Sequence, residues 1–294
     1  MRGERRLGFA MLAPALAVLV LLAVVPMVWT VWESLHRHDL RMPWQGRPFV
    51  GLAQYVELLG DTRFGAALMH TAFFTVATVA LELVLGLALA LVMHRVVRGR
   101  GAVRAAALLP WAMPTVVVAL LWRFVFESRT GAANAVLMSM GVIGSPIAWL
   151  ADPVAAWVPL VLADVWKTTP FVALLLLAGL QSIDPLLYEA AAVDGAGPWA
   201  RFRHITLPML RHAILVAVIF RTLDAFRVFD LVYVLTSGGP GTATEPVALY
   251  TFTALLQHLR FGYGSAMSVV ILAIALLLAF AAARLIGHSP ERAS

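Results

Sequence analysis

Long apolar stretches alternate with short polar ones along nearly the whole of this 294-residue chain. Runs of roughly 20 or more mostly apolar residues fall at about 7–32, 66–93, 103–126, 155–180, 213–235 and 265–286. Each is near the length that a helix needs to cross a hydrocarbon core about 30 Å thick. The pattern therefore predicts six transmembrane helices, an all-α membrane protein, and a single membrane domain over 1–294. Two shorter apolar segments, 135–150 and 246–259, are broken by Gly and Pro or bounded by polar residues, and predict surface helices or re-entrant loops. Pro110, Pro114 and Pro170 predict kinks in the third and fourth helices, because each removes a backbone donor and crowds the preceding turn.

Composition agrees with a bilayer as solvent. The chain is 61% hydrophobic and 13% charged, whereas soluble domains carry about 25% charged residues. A formal charge of +6 would raise nucleic acid as a partner if it formed a patch on a soluble face, but the arginines lie in loops, so no nucleic acid is expected. They read instead as topology signals. With the N-terminus in the cytoplasm, Arg2, Arg5, Arg6, Arg95, Arg98, Arg100, Arg104, Arg201, Arg203, Arg211, Arg284 and Arg292 are inside. Only Arg37, Arg41, Arg47, Arg63, Arg129 and Arg260 are then outside, so the positive-inside rule places both termini in the cytoplasm. The first apolar run is too long for a signal peptide's core and predicts a retained helix. Cysteine is absent, which removes disulfides and thiolate metal sites.

Ionisable residues inside spans are costly and mark a cavity, a partner or a pathway. The fourth span carries Asp164 and Lys167, beside Trp166, Thr168 and Phe171; the fifth carries Arg221, Asp224, Arg227 and Asp230. The three-residue steps of alternating sign let each charge neutralise the next within its own helix. The same residues also offer the hydrogen-bonding groups and aromatic face that a sugar ring requires. Both readings fit the spacing. Glu82 and Arg123 have no partner in sequence; a contact with a neighbouring helix is expected for Glu82, and snorkelling to the outer interface for Arg123.

A polar island separates the fourth and fifth spans: Glu189-Ala190-Ala191, three residues including Asp194, Gly195, nine residues, then Ile205-Thr206-Leu207-Pro208. The alanines favour a short helix, Gly195 permits a turn, and Pro208 ends the element before the next span, so a small helix-turn-helix knob is predicted over 181–211. This island resembles the EAA loop of bacterial ABC import permeases, E-A-A-x3-G-x9-I-x-L-P, at every defining position. Gly51-Leu52-Ala53-Gln54-Tyr55, Phe64 and Leu235-Thr236-Ser237-Gly238-Gly239-Pro240 resemble external segments of the sugar branch, the MalF-like permeases. The stretches 82–95, 165–180 and 220–235 look like those of SugA-type permeases of mycobacterial trehalose importers.

The resemblance implies a type I ABC importer permease fold in the bacterial cytoplasmic membrane. It implies that Glu189, Ala190, Ala191, Asp194, Gly195, Ile205, Leu207 and Pro208 couple to a cytoplasmic ATPase, and that an α-linked disaccharide such as trehalose or maltose passes near Asp164, Lys167, Thr168, Phe171, Arg221, Asp224 and Ala225. Implied partners are a second, SugB- or MalG-like permease, two ATPase subunits that bind ATP and Mg, membrane lipid, and an external solute-binding protein, in some systems a lipoprotein. The chain itself is not expected to be an enzyme. Its only lysine, Lys167, is preceded by Trp166 inside a span and cannot belong to a Walker A loop, and no H-E-x-x-H occurs. The alternative is an ion-coupled secondary transporter using Asp164, Asp224 and Asp230, although no internal repeat is evident.

Overall fold

The computed structural model describes residues 2–95 and 99–287, with side chains for 11–95 and 99–284. Arg98 and Arg292 of the cytoplasmic set lie outside the described residues, and the side chains of Arg2, Arg5 and Arg6 lie outside the described side chains. Among the described residues the regular elements are helical, with two isolated antiparallel bridges, His36 to Phe49 and Asp39 to Arg260. The helices fall into two compact units, residues 1–65 with 250–274, and residues 66–249 with 275–294.

The first unit contains α1, Met11–Ser34, whose most apolar stretch buries nothing inside the chain. It also contains α2, Ala53–Leu59, which leads to Asp61 at the head of α3, Thr62–Arg95. Asp61 accepts hydrogen bonds from the amides of Arg63 (2.8 Å) and Phe64 (3.2 Å), as a capping residue does, and from the hydroxyls of Tyr250 (2.6 Å) and Tyr263 (2.5 Å). Burial opposes ionisation of this carboxyl, but the two phenols and two amides outweigh it and hold the group below the usual range. Burial, reinforced by Asp61, pushes the Tyr250 hydroxyl up to about 12, so it stays a donor.

A lowered folded-state value means that the contribution is present above the unfolded carboxyl value and is lost as pH falls through the folded one. Asp61→Asn is expected to cost about 2 kcal/mol near neutral pH, since bonds to a charged acceptor are the stronger kind. The melting-temperature gap between wild type and variant should begin to narrow below about pH 4 and close only at still lower pH, as folded wild-type Asp61 itself becomes neutral. A gap independent of pH would show that the carboxylate charge contributes nothing.

Most of α3 belongs to the second unit, which continues with α4 (Arg100–Ala112), α5 (Thr115–Val125), α6 (Ala132–Ser139) and α7 (Trp157–Gln181). It then holds α8 (Pro185–Val193), α9 (Pro198–Met209), α10 (Arg211–Ala225) and α11 (Asp230–Leu235). Two further helices, α12 (Val247–Gln257) and α13 (Phe261–Gly287), are the last among the described residues. Among the described residues four helices, α1, α3, α7 and the stretch Phe261–Arg284 of α13, are long and apolar enough to span a membrane, and there are up to six spans if each of two bent pairs counts as one.

Proline explains one of the bends. Helices α4 and α5 meet at 86°, where Pro114 forces Met113 into an extended conformation (φ −74°, ψ 140°). The expected kink is there a full break. Pro110 and Pro170 remain inside α4 and α7, and α7 continues unbroken for 25 residues. Helices α9 and α10 meet at 61°, directly after Pro208 and Met209. The apolar run at 213–235 is also divided, into α10 and α11, and the turn between them carries Arg227 out of the helix to line a cavity.

The core of this unit joins α3, α7 and α10 through Ala90, Met93, Val172, Ala173, Leu176, Leu177, Leu180 and Ala217. Gly86 lets α3 approach α7, since a Cβ there would lie 2.7 Å from Val172 Cγ1. Small residues at such crossings are how membrane helices reach close packing without a hydrophobic driving force.

Candidate functional site

Two constellations in the second unit carry the candidate residues. The first is a charge cluster between α3, α7 and α10. Arg221 donates from Nε to Glu82 Oε2 (2.5 Å), from Nη2 to Glu82 Oε1 (2.8 Å) and to Asp164 Oδ2 (2.9 Å), and from Nη1 to Asp224. Thr168 Oγ1 donates to Glu82 Oε1 at 2.5 Å and also lies 2.6 Å from the carbonyl of Asp164. Glu82 is wholly buried and Arg221 is 2% exposed. A planar guanidinium suits this arrangement because its fork can serve three carboxylates at once.

Pairing within one helix is thus only part of the answer. Arg221 and Asp224 do pair at i, i+3, but the stronger tie crosses to Glu82, 139 residues away. Asp164 pairs with Arg221 and not with Lys167. Lys167 makes no ion pair among the described residues; it lines a polar cavity of about 210 Å³ with Asp164, Thr168, Asp224, Ala225, Arg227 and Asp230. The structure therefore gathers most of the expected path residues around one cavity, with Arg221 buried behind it.

Phe171 is not among the cavity's lining residues. Its ring stacks on Trp111 of α4, centroids 5.6 Å apart and planes at 16°. The cavity also includes Thr115, Val228, Phe229 and Leu231, which sequence reasoning missed because the break before α5 and the turn after α10 bring them in. The unpartnered charge of Glu82 was the one signal pointing to its role. Arg123 reaches the carbonyl of Val234 in α11 at 3.5 Å.

The second constellation is the knob. Asp184 caps α8, its Oδ1 accepting from the Leu186 amide (2.9 Å), and Pro185 occupies the first turn, where a missing N–H costs nothing. The helix ends through Asp194 into Gly195 at φ +80°, with Gly195 N–H bonded to Ala192 O (3.1 Å) and Ala196 N–H to Ala191 O (2.8 Å). That pair of bonds is a Schellman termination, for which glycine is the usual residue. Tyr188 Oη lies 3.0 Å from Thr206 Oγ1, tying α8 to α9. Ile205 packs on the core cluster, Leu207 is exposed and Pro208 is in the last turn before the bend. On the outer side Glu189 is exposed, as are Leu186, Val193 (88%) and Trp199 (71%).

Comparison with known proteins gives the context of both. Residues 82–291 match the family described as binding-protein-dependent transport system inner membrane component. The chain is 44% identical to the trehalose/maltose transport system permease protein MalF of Thermococcus litoralis over 94% of this chain and 92% of that protein. It is 40% identical to the trehalose transport system permease protein SugA of Mycobacterium tuberculosis, over 97% and 90%. A crystal structure of a bacterial ABC transporter that imports the acidic polysaccharide alginate superposes with a TM-score of 0.83 at 24% identity, covering 98% of each chain, and so shares the fold. The chain belongs to the inner-membrane permease family of binding-protein-dependent ABC transport systems, in its MalF-like branch, and it is a permease and not an ATPase.

Proposed function

We propose that this chain is one of two permease subunits of a sugar importer carrying an α-linked disaccharide such as trehalose or maltose, with residues 1–294 working as one domain. The observation that carries the path assignment is the polar cavity in which Lys167 stands without a counter-ion beside Asp164, Thr168, Asp224 and Ala225. An amine among hydroxyl and carboxylate groups offers sugar hydroxyls donors and acceptors together. The names of the 44% and 40% identical relatives support the disaccharide.

On this reading the knob faces the cytoplasm and docks on an ATPase through Glu189, Leu186 and Val193. Ala190, Ala191, Asp194 and Gly195 shape its first arm, and Ile205, Leu207 and Pro208 anchor its second. ATP and Mg are bound by two ATPase subunits, the second permease is MalG- or SugB-like, and an external binding protein delivers the sugar. Both termini are cytoplasmic. Ion coupling loses its main support, because Asp164 and Asp224 are already engaged by Arg221.

The sole lysine makes the path testable. Acylation of Lys167 in the assembled importer, followed by peptide mass mapping, should slow roughly tenfold when the transported sugar is present at about ten times its dissociation constant. A labelling rate that neither trehalose nor maltose changes would remove Lys167 from the path.

A further inference from the structure

A second cavity, of about 740 Å³, lies between the end of α3, the end of α7 and the base of the knob. Leu91 and Leu180 line its inner part; His94, Arg95 and Arg201 line it together with Tyr188, Trp199 and Phe202. Arg95 lies four residues beyond Leu91, about 6 Å along the helix axis. The cavity thus runs from the apolar end of the α3 span to its basic last turn. None of its three basic side chains takes part in an ion pair among the described residues.

We propose that this cavity binds the phosphodiester headgroup of an anionic phospholipid from the leaflet on the knob's side. The phosphate sits at Arg95, Arg201 and His94, and the upper acyl carbons lie against Leu91 and Leu180. Phosphate favours arginine's paired donors, and basic pockets between spans are where anionic headgroups bind. Tyr188 and Trp199 have the polar-tipped aromatic character found at the membrane interface. A segment of the ATPase is the other occupant that charge alone would allow, but the Leu91 and Leu180 wall beside the basic groups suits a headgroup that carries acyl chains. Because Tyr188 and Arg201 belong to the knob, the lipid would brace the element that meets the ATPase. The inference rests on the cytoplasmic placement of the knob and is independent of which sugar is carried.

The test is lipid retention by the whole importer, in detergent, without sugar or nucleotide, so a wrong substrate assignment leaves the result unaffected. Native mass spectrometry with added dioleoylphosphatidylglycerol should resolve one tightly held lipid per copy of this chain, while dioleoylphosphatidylcholine should bind roughly 30-fold more weakly. The double variant R95Q/R201Q should lose that preference, and R95K/R201K should restore most of it by keeping the charge. Equal retention of the two lipids by wild type would overturn the proposal, as would a preference unchanged in R95Q/R201Q. Release of the ATPase subunits from R95Q/R201Q with lipid preference intact would assign the cavity to the ATPase and also overturn it. Inorganic phosphate at millimolar concentration should not displace the lipid; displacement would show that the site reads phosphate alone and would overturn the lipid assignment.

Discussion

Replacing Arg221 by leucine is expected to prevent this subunit from reaching a stable assembled state. The change leaves Glu82 wholly buried with Thr168 as its only remaining donor, and strips Asp164 of its counter-ion. Removing one member of a buried pair costs about 3–5 kcal/mol, while replacing both members with apolar residues of similar size is often neutral. The companion variant Glu82→Leu with Arg221→Leu should therefore recover much of the loss. Thermal unfolding and size-exclusion profiles of the purified importer measure both. An unchanged melting temperature for the single variant would mean that water or lipid already satisfies Glu82. Exchanging Arg221 and Asp224 should not rescue the pair, because an aspartate at 221 would face Glu82 and Asp164.

The next largest effect is expected at the knob, where Glu189→Ala and Gly195→Pro should leave the membrane fold intact but lower uptake by roughly 10- to 100-fold. For Glu189 the magnitude follows from a lost charge-assisted bond across an interface, about 1.5–3 kcal/mol. For Gly195 it follows from backbone geometry: φ is +80°, and proline is confined near −65°, so the Schellman turn cannot form. Uptake measured beside sugar-stimulated ATPase activity separates coupling from assembly. Full uptake by both variants with normal subunit association would end the docking assignment.

The knob was legible because its signals are local. Two alanines and a glycine at the exit act within six residues, and each has one dominant conformational effect, whereas the capping aspartate and first-turn proline that start α8 went unread. Long apolar helices such as α3 and α7 were legible for the same reason. The sharp corner between α4 and α5 was only half legible: Pro114 announces a disturbance, but 86° depends on what α4 and α5 pack against, and both pack on α7. Least legible was the charge cluster. Spacing suggested partners three residues away, whereas Arg221 takes its strongest contact from a glutamate 139 residues earlier, and no local rule selects among distant carboxylates.

That separation also sets a waiting time during synthesis. At about 5–20 residues per second, Arg221 is made on the order of 10 s after Glu82. Over that interval the Glu82 carboxyl has no counter-charge, and in hydrocarbon it is held neutral by a proton, at a cost of about 3 kcal/mol that the apolar length of α3 offsets. Glu82 and Arg221 thus change partners once in the life of the chain: the carboxyl gives up its proton, and α3, α7 and α10 lock together, only after the arginine has been translated.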